Sequence, residues 1–156
     1  MKELNEFFAV SEDARYELNH NKIVLSKDCT DVYEGGEADV YDHGQAYVHE
    51  GGYANVFDGG RAYAYQGGKV DVYEGGRANV FDGGKAYVLD GGRASVYEGG
   101  YANVFDGGYA DVYNKGKAYA LDGGYADVFK GGFAKAYDNG GAHAYEGGKA
   151  IHKRTR

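Results

Sequence analysis

The chain has 156 residues, with Gly 28, Tyr 17, Pro 0, Trp 0 and a formal net charge of −7. That length suffices for one domain with a core, and the many Tyr, Phe and Val residues separate it from glycine-rich disordered chains, which lack them. The acidic balance opposes direct binding to nucleic-acid backbones, the single Cys29 excludes an intramolecular disulfide, and no apolar run is long enough to predict a membrane span or a secretory signal. A cytoplasmic protein with no membrane contact is the expectation.

Charge divides along the chain: residues 1–28 carry six acids and four bases, 29–148 eighteen acids and nine bases, and 149–156 four bases. In the first segment Leu4, Phe7 and Phe8 recur at helical spacing. Ser11, Glu12 and Asp13 read as the N-cap and acidic first turn of a second short helix running through Leu18. Asn19, His20 and Asn21 signal a turn, and KIVLSKDC reads as a strand entering the long acidic segment. Residues 1–28 are thus predicted to be a helical N-terminal cap with one leading strand, covering an end that would otherwise expose core and strand edge.

From Gly35 the sequence runs in octads, Gly-Gly-x-Ala-x-Val-aromatic-acid. We number these positions as slots one to eight. Slot two is Gly in all fifteen octads from Gly36 to Gly148, and slot four is Ala everywhere except Val70. Slots three to seven alternate as a half-buried strand does, with Ala and Val facing inward. The acid and glycines then break the strand, and the unvarying slot-two Gly reads as a position of positive φ. Residues 29–148 are therefore predicted to be an all-β, parallel β-solenoid of octapeptide repeats, with 149–156 a basic tail that frays from its end.

The octad leaves the size of the coil open. The slot-one exceptions His43, Lys115 and Asn139 differ by 72 and 24, and Phe57, Phe81, Phe105 and Phe129 recur at 24, as do Asn55, Asn79 and Asn103. These intervals favour three octads per coil, with the four Phe residues forming one column that fills the core or meets another chain. The alternative is a thin coil of two octads, in which Ala and Val fill the core and the aromatics stand outside.

Catalysis needs unlike groups converging in a concavity, and a repeating prism presents like groups in rows. No enzyme chemistry is predicted. His20 and Cys29 have nothing to orient them as a base and nucleophile, and the five His lack metal-ligand spacing. Asp-Gly-Gly is similar to the calcium nonapeptide, but the period is eight and the acid precedes the glycines, so no cofactor or structural calcium is expected. The candidate partner-binding groups are the slot-eight acids, Glu50, Asp58, Glu74, Asp82, Glu98, Asp106 and Asp122, read as carboxylate ladders. With them go the outward Tyr53, Tyr101 and Tyr125 at slot three and Tyr63 and Tyr87 at slot five.

The octads YANVFDGG, YADVYNKG and YALDGGYADVFKGG, preceded by EFFAVSEDARYELNHNKIVL, resemble the octapeptide-repeat solenoid proteins of bacteriophages and gut bacteria with their capping leaders. Shape and charge resemble acidic DNA-mimicking solenoids. The octapeptide period is similar to that of phage needle β-prisms, in which three chains intertwine, although those repeats are Val-x-Gly based. The likeness to DNA-mimicking solenoids implies a non-enzymatic inhibitor, anti-CRISPR-like, that occupies a basic nucleic-acid-binding host protein without touching nucleic acid itself. The likeness to needle β-prisms implies a homo-oligomeric structural segment. A carbohydrate-binding face built on the Tyr rows is a third reading.

Overall fold

The computed structural model describes residues 15–17, 22–25 and 27–154. Two strands lead the chain, β1 (Arg15–Glu17) and β2 (Lys22–Leu25). The octads then supply β3 (Cys29–Val32), β4 (Glu37–Val40), β5 (Gln45–Val48), β6 (Tyr53–Val56), β7 (Arg61–Ala64), β8 (Lys69–Val72), β9 (Arg77–Val80) and β10 (Lys85–Val88). They continue with β11 (Arg93–Val96), β12 (Tyr101–Val104), β13 (Tyr109–Val112), β14 (Lys117–Ala120), β15 (Tyr125–Val128), β16 (Phe133–Tyr137), β17 (Gly141–Ala144) and β18 (Lys149–Lys153).

Each octad strand pairs in parallel with its copy sixteen residues away, in register, as Ala86↔Ala102 and Ala102↔Ala118 show. Strands β3, β5 and onward to β17 make an eight-stranded sheet. The even-numbered strands make a second sheet of ten, with β1 added at its edge. The coil is therefore two octads, not three. Successive coils rise by about 4.8 Å, so eight of them give a slab on the order of 38 Å long.

Volume explains the choice. The core consists of the slot-four and slot-six side chains, almost all Ala and Val, and these are buried from Val32 to Ala142, with no buried polar or charged residue among the described residues. A triangular coil with eight residues per side encloses space that Ala and Val cannot fill, whereas two sheets face to face need nothing larger. The slot-seven rings consequently stand outside the core. Phe57 and Phe105 follow strands of one sheet and Phe81 and Phe129 strands of the other, so the four do not form one column.

The corners show why each glycine is there, and the reason at slot two differs from expectation. Positive φ falls at slot one, as at Gly67 (φ 87), and also at slot eight where Asp42, Gln66, Asp82, Asp90, Asn114, Asp122 and Asp138 stand. All but Gln66 are Asp or Asn, which tolerate that region, while Asp58, Asp106 and the Glu corners at 34, 50, 74, 98 and 146 do not enter it. The left-handed backbone turns the corner N–H groups forward, so that Asp82 N–H donates to the Glu98 carbonyl at 2.9 Å, one coil ahead. Slot two is Gly for a steric reason: from Gly52 to Gly148 a Cβ would lie 2.1–2.5 Å from the carbonyl oxygen of the slot-six residue one coil back. The same Gly N–H closes the turn, as Gly100 does on the Tyr97 carbonyl at 2.8 Å.

At the N-terminal end, residues 15–17, placed in the second expected helix, instead form a strand antiparallel to β2, with Tyr16 opposite Ile23. An extended segment can hydrogen-bond to the open edge of β2, and a helix cannot. No helix occurs among the described residues, and the first expected helix lies outside them. At the other end Lys149–Lys153, the start of the basic tail, pairs with Phe133–Tyr137 as the last strand.

The two kinds of Gly should respond differently to alanine. Gly100→Ala forces a Cβ to within 2.3 Å of the Val80 oxygen, and is expected to cost about 3 kcal/mol or more, the range of severe backbone conflicts. Gly67→Ala has ordinary contacts, its nearest neighbour being Glu50 Cγ at 3.6 Å, and is expected to cost about 1–2 kcal/mol through φ alone. Gly67→Asn should recover part of that loss. Urea denaturation of the three variants measures the contrast.

Candidate binding faces

With Ala and Val inside, slots three, five and seven project outward, and parallel in-register pairing stacks like slots into rows along the slab axis. The two corners of each coil lie at opposite edges of the slab, because strands of the two sheets run in opposite directions. The edge following the eight-stranded sheet is dominated by rings. Tyr33, His49, Tyr65, Phe81, Tyr97, Tyr113, Phe129 and Tyr145 stack consecutively, with centroids 4.7–5.8 Å apart and planes within 19° of parallel. His49 is also fixed by Asp31, whose Oδ1 lies 2.8 Å from His49 Nε2. At the opposite edge Tyr41, Phe57 and Tyr73 stack in the same way, but the row is then broken by Leu89 and Leu121.

The acids divide by the same rule. Asp58, Glu74, Asp106 and Asp122 lie at the second edge, where Asp42, Asp90 and Asp138 complete an uninterrupted and exposed column of seven carboxylates. Glu50, Asp82 and Glu98 lie at the ring-lined edge, where Gln66, Asn114 and Lys130 interrupt the column. There Lys115 Nζ reaches Glu98 Oε1 at 2.6 Å, and the bond raises the pKa of Lys115. Among the described residues no basic side chain pairs with Asp58, Glu74, Asp90, Asp106 or Asp122. An octad pattern folded into three-sided coils hides the uninterrupted acid edge, which emerges only at a sixteen-residue spacing.

The candidate tyrosines occupy both faces. Tyr53, Tyr87 and Tyr101 are on the ten-stranded sheet, and Tyr63 and Tyr125 on the eight-stranded one. Several are engaged with the sheet itself. Tyr53 donates its hydroxyl to Asp71 Oδ2 at 2.6 Å, with Asn55 Oδ1 3.0 Å from the same oxygen, and the Tyr109 hydroxyl likewise donates to Asp127 with Asp111 beside it. Burial, followed by these bonds to carboxylates, raises both phenol pKa values, since an ionised phenol there would be poorly solvated and set against a carboxylate. Tyr63 stacks on Tyr47 at 5.0 Å, Tyr101 contacts Tyr119 at 5.2 Å, and Tyr125 stacks on Tyr109 at 5.9 Å. Tyr87 and Tyr125 are the most open of the five.

Among the described residues no group of three or more His, Cys, Asp or Glu is arranged to hold a metal ion. No helix of the described residues is long and apolar enough to cross a membrane.

Two outcomes are expected from this geometry. Each interior ring of the unbroken stack touches two others, and an aromatic pair contributes about 0.5–1.5 kcal/mol beyond burial. Tyr97→Leu is therefore expected to lower the unfolding free energy by about 1–3 kcal/mol in denaturant titration. Asp111 has a raised pKa, chiefly from burial and then the Asp127 charge, against the lowering effects of Tyr109 and Arg93. A carboxyl with a higher pKa folded than unfolded costs stability once ionised, and that cost vanishes as pH falls below both values. Asp111→Asn should raise the melting temperature at pH 7, with the gain shrinking as the pH approaches the ordinary carboxylate range.

No protein-family model and no curated protein sequence matches the chain. Among solved structures it is similar to a TibC-catalyzed hyper-glycosylated TibA fragment, residues 55–350, at 21% identity over 85% of this chain and 92% of that one, with a TM-score of 0.34. That likeness is too loose to carry over any property of the fragment.

Proposed function

We propose that the protein is a non-enzymatic, rigid binding module that docks by its acidic edge on a basic protein surface. The supporting observation is the column Asp42, Asp58, Glu74, Asp90, Asp106, Asp122 and Asp138, exposed and repeated at strand spacing. Like charges in a row repel, and slot eight accepts Gln66 and Asn114 at the other edge, so the corner geometry does not demand an acid. A row of carboxylates on a stiff backbone suits a partner whose Lys and Arg are themselves arrayed, and long-range attraction would speed the encounter.

The finer reading is that this partner surface otherwise holds nucleic acid. The column carries one charge per ~4.8 Å, while duplex DNA carries one per ~1.7 Å over two strands, or one per ~3.4 Å on each. That spacing is nearer to a single phosphate row than to a whole duplex, and sparser than either. Strand pairing is completed within the chain at every coil from β3 to β18, which favours this reading over an intertwined trimer that must share its strands.

A combined variant, Asp58→Asn, Glu74→Gln, Asp90→Asn and Asp106→Asn, tests the proposal. Its affinity for a polylysine probe, followed by fluorescence anisotropy, should fall at least tenfold, and the salt dependence should flatten. Neutralising Glu34, Glu50 and Glu98 at the other edge should have a smaller effect. Equal losses from both sets, or tight binding of duplex DNA by the wild-type chain at physiological salt, would refute docking by this edge.

A further inference from the structure

The outer face of the eight-stranded sheet contains a feature opposite in sign to the acid edge. Arg61, Arg77 and Arg93 occupy slot three of the adjacent strands β7, β9 and β11, in direct register. Beside them slot five holds Tyr63, then the short Asn79 and Ser95, then Asp111. Where the side chains shorten, a groove of about 380 Å³ opens over Ala78 and Ala94, and all three arginines line it. Ala78 and Ala94 are each 3% exposed, whereas Ala46, Ala54, Ala62, Ala102 and Ala110 are fully covered.

Three guanidinium groups at successive strands repel one another, and among the described residues none forms an ion pair with a carboxylate. The fold does not require them, because slot three elsewhere holds Gln45, Tyr109 and Tyr125 on the same sheet. Guanidinium forks match tetrahedral oxyanions in planar, bidentate fashion, and the Asn79 amide and Ser95 hydroxyl add donors at the groove floor. Asp111 lines the far end of the groove and Asp127 continues the slot-five row beyond it; the two carboxylates confine a bound anion to the arginine side and would repel a polyanion extended along the slab. Tyr63 closes the other end with a ring.

We infer that this groove binds a compact oxyanion, a phosphate or sulfate group, carried free or as a monoester whose organic part rests on Tyr63. Arg77, the central arginine, makes the main contact. Arg93 is steadied by the Tyr109 ring, whose centroid lies 5.9 Å from its Cζ.

Calorimetric titration of the full chain with inorganic phosphate, sulfate and phenyl phosphate at constant ionic strength tests the site. Saturable one-to-one binding is expected, weakened at least tenfold by Arg77→Gln and less by Arg77→Lys, while Lys85→Gln on the opposite face leaves it unchanged. Because Arg77→Gln relieves repulsion at an exposed position, its melting temperature should equal or exceed the wild-type value, which separates lost binding from lost folding. A phenyl phosphate preference abolished by Tyr63→Leu assigns the ester, and equal affinities assign the free anion. Unsaturable binding, or equal binding by the wild type and Arg77→Gln, would overturn the inference. Tighter binding of a single-stranded oligonucleotide, with a salt slope exceeding three phosphate contacts, would also overturn it in favour of an extended polyanion.

Discussion

The structure depends on how closely one coil lies on the next. At slot two the backbone passes so near the preceding coil's slot-six carbonyl that a single added carbon would fall far inside van der Waals contact, 2.3 Å away at Gly60 and Gly100. From Gly52 to Gly148 such proximity, together with the in-register strand pairing, holds each octad to its copy sixteen residues away. All the outward rows inherit that lock. Rings stack on rings, acids follow acids, and three arginines align, because the backbone permits no offset between coils.

This lock also explains which parts of the molecule are legible in the sequence. The octad, its inward Ala and Val, and the parallel solenoid come directly from period two between fixed glycines. The coil size does not, because Phe57, Phe81, Phe105 and Phe129 recur at 24 through similarity of sequence rather than equivalence of environment. The deciding signals are elsewhere. Leu89 and Leu121 interrupt slot seven 32 residues apart, twice sixteen but not a multiple of 24. Gln66, Asn114 and Lys130 interrupt the acid slot at intervals of 48 and 16. Each set marks a single edge of a two-sided coil. The volume that Ala and Val can fill points the same way.

The role of slot two is obscured for a different physical reason. An unvarying Gly can indicate positive φ or close approach, and sequence alone does not distinguish them. Here the two demands fall on neighbouring residues. Slot one, where φ is positive, tolerates Lys115 at φ 67, whereas slot two, where space is missing, holds Gly throughout. The more constant glycine is thus the sterically confined one. Likewise, assigning the candidate acids and tyrosines to common faces requires the sixteen-residue phase. The arginine groove depends on the same phase, because Arg61, Arg77 and Arg93 are separated by two octads each.

Because both sheets are built from the same octad, the core cannot tell one side of the slab from the other. A segment of 24 residues, one and a half coils, inserts with its Ala and Val correctly buried but appears on the opposite side. A segment of 48 residues returns to the side it came from. GGYANVFDGG at 51–60 and at 99–108 is such a pair, and Tyr53 and Tyr101 accordingly share the ten-stranded sheet. Copying an odd number of octads thus transfers a surface pattern from one side to the other with the interior intact, and copying an even number lengthens the side already in use. The chain has the means to grow or to remodel its two sides with the same Ala and Val interior, the parity of the copied segment setting the side on which the copy appears.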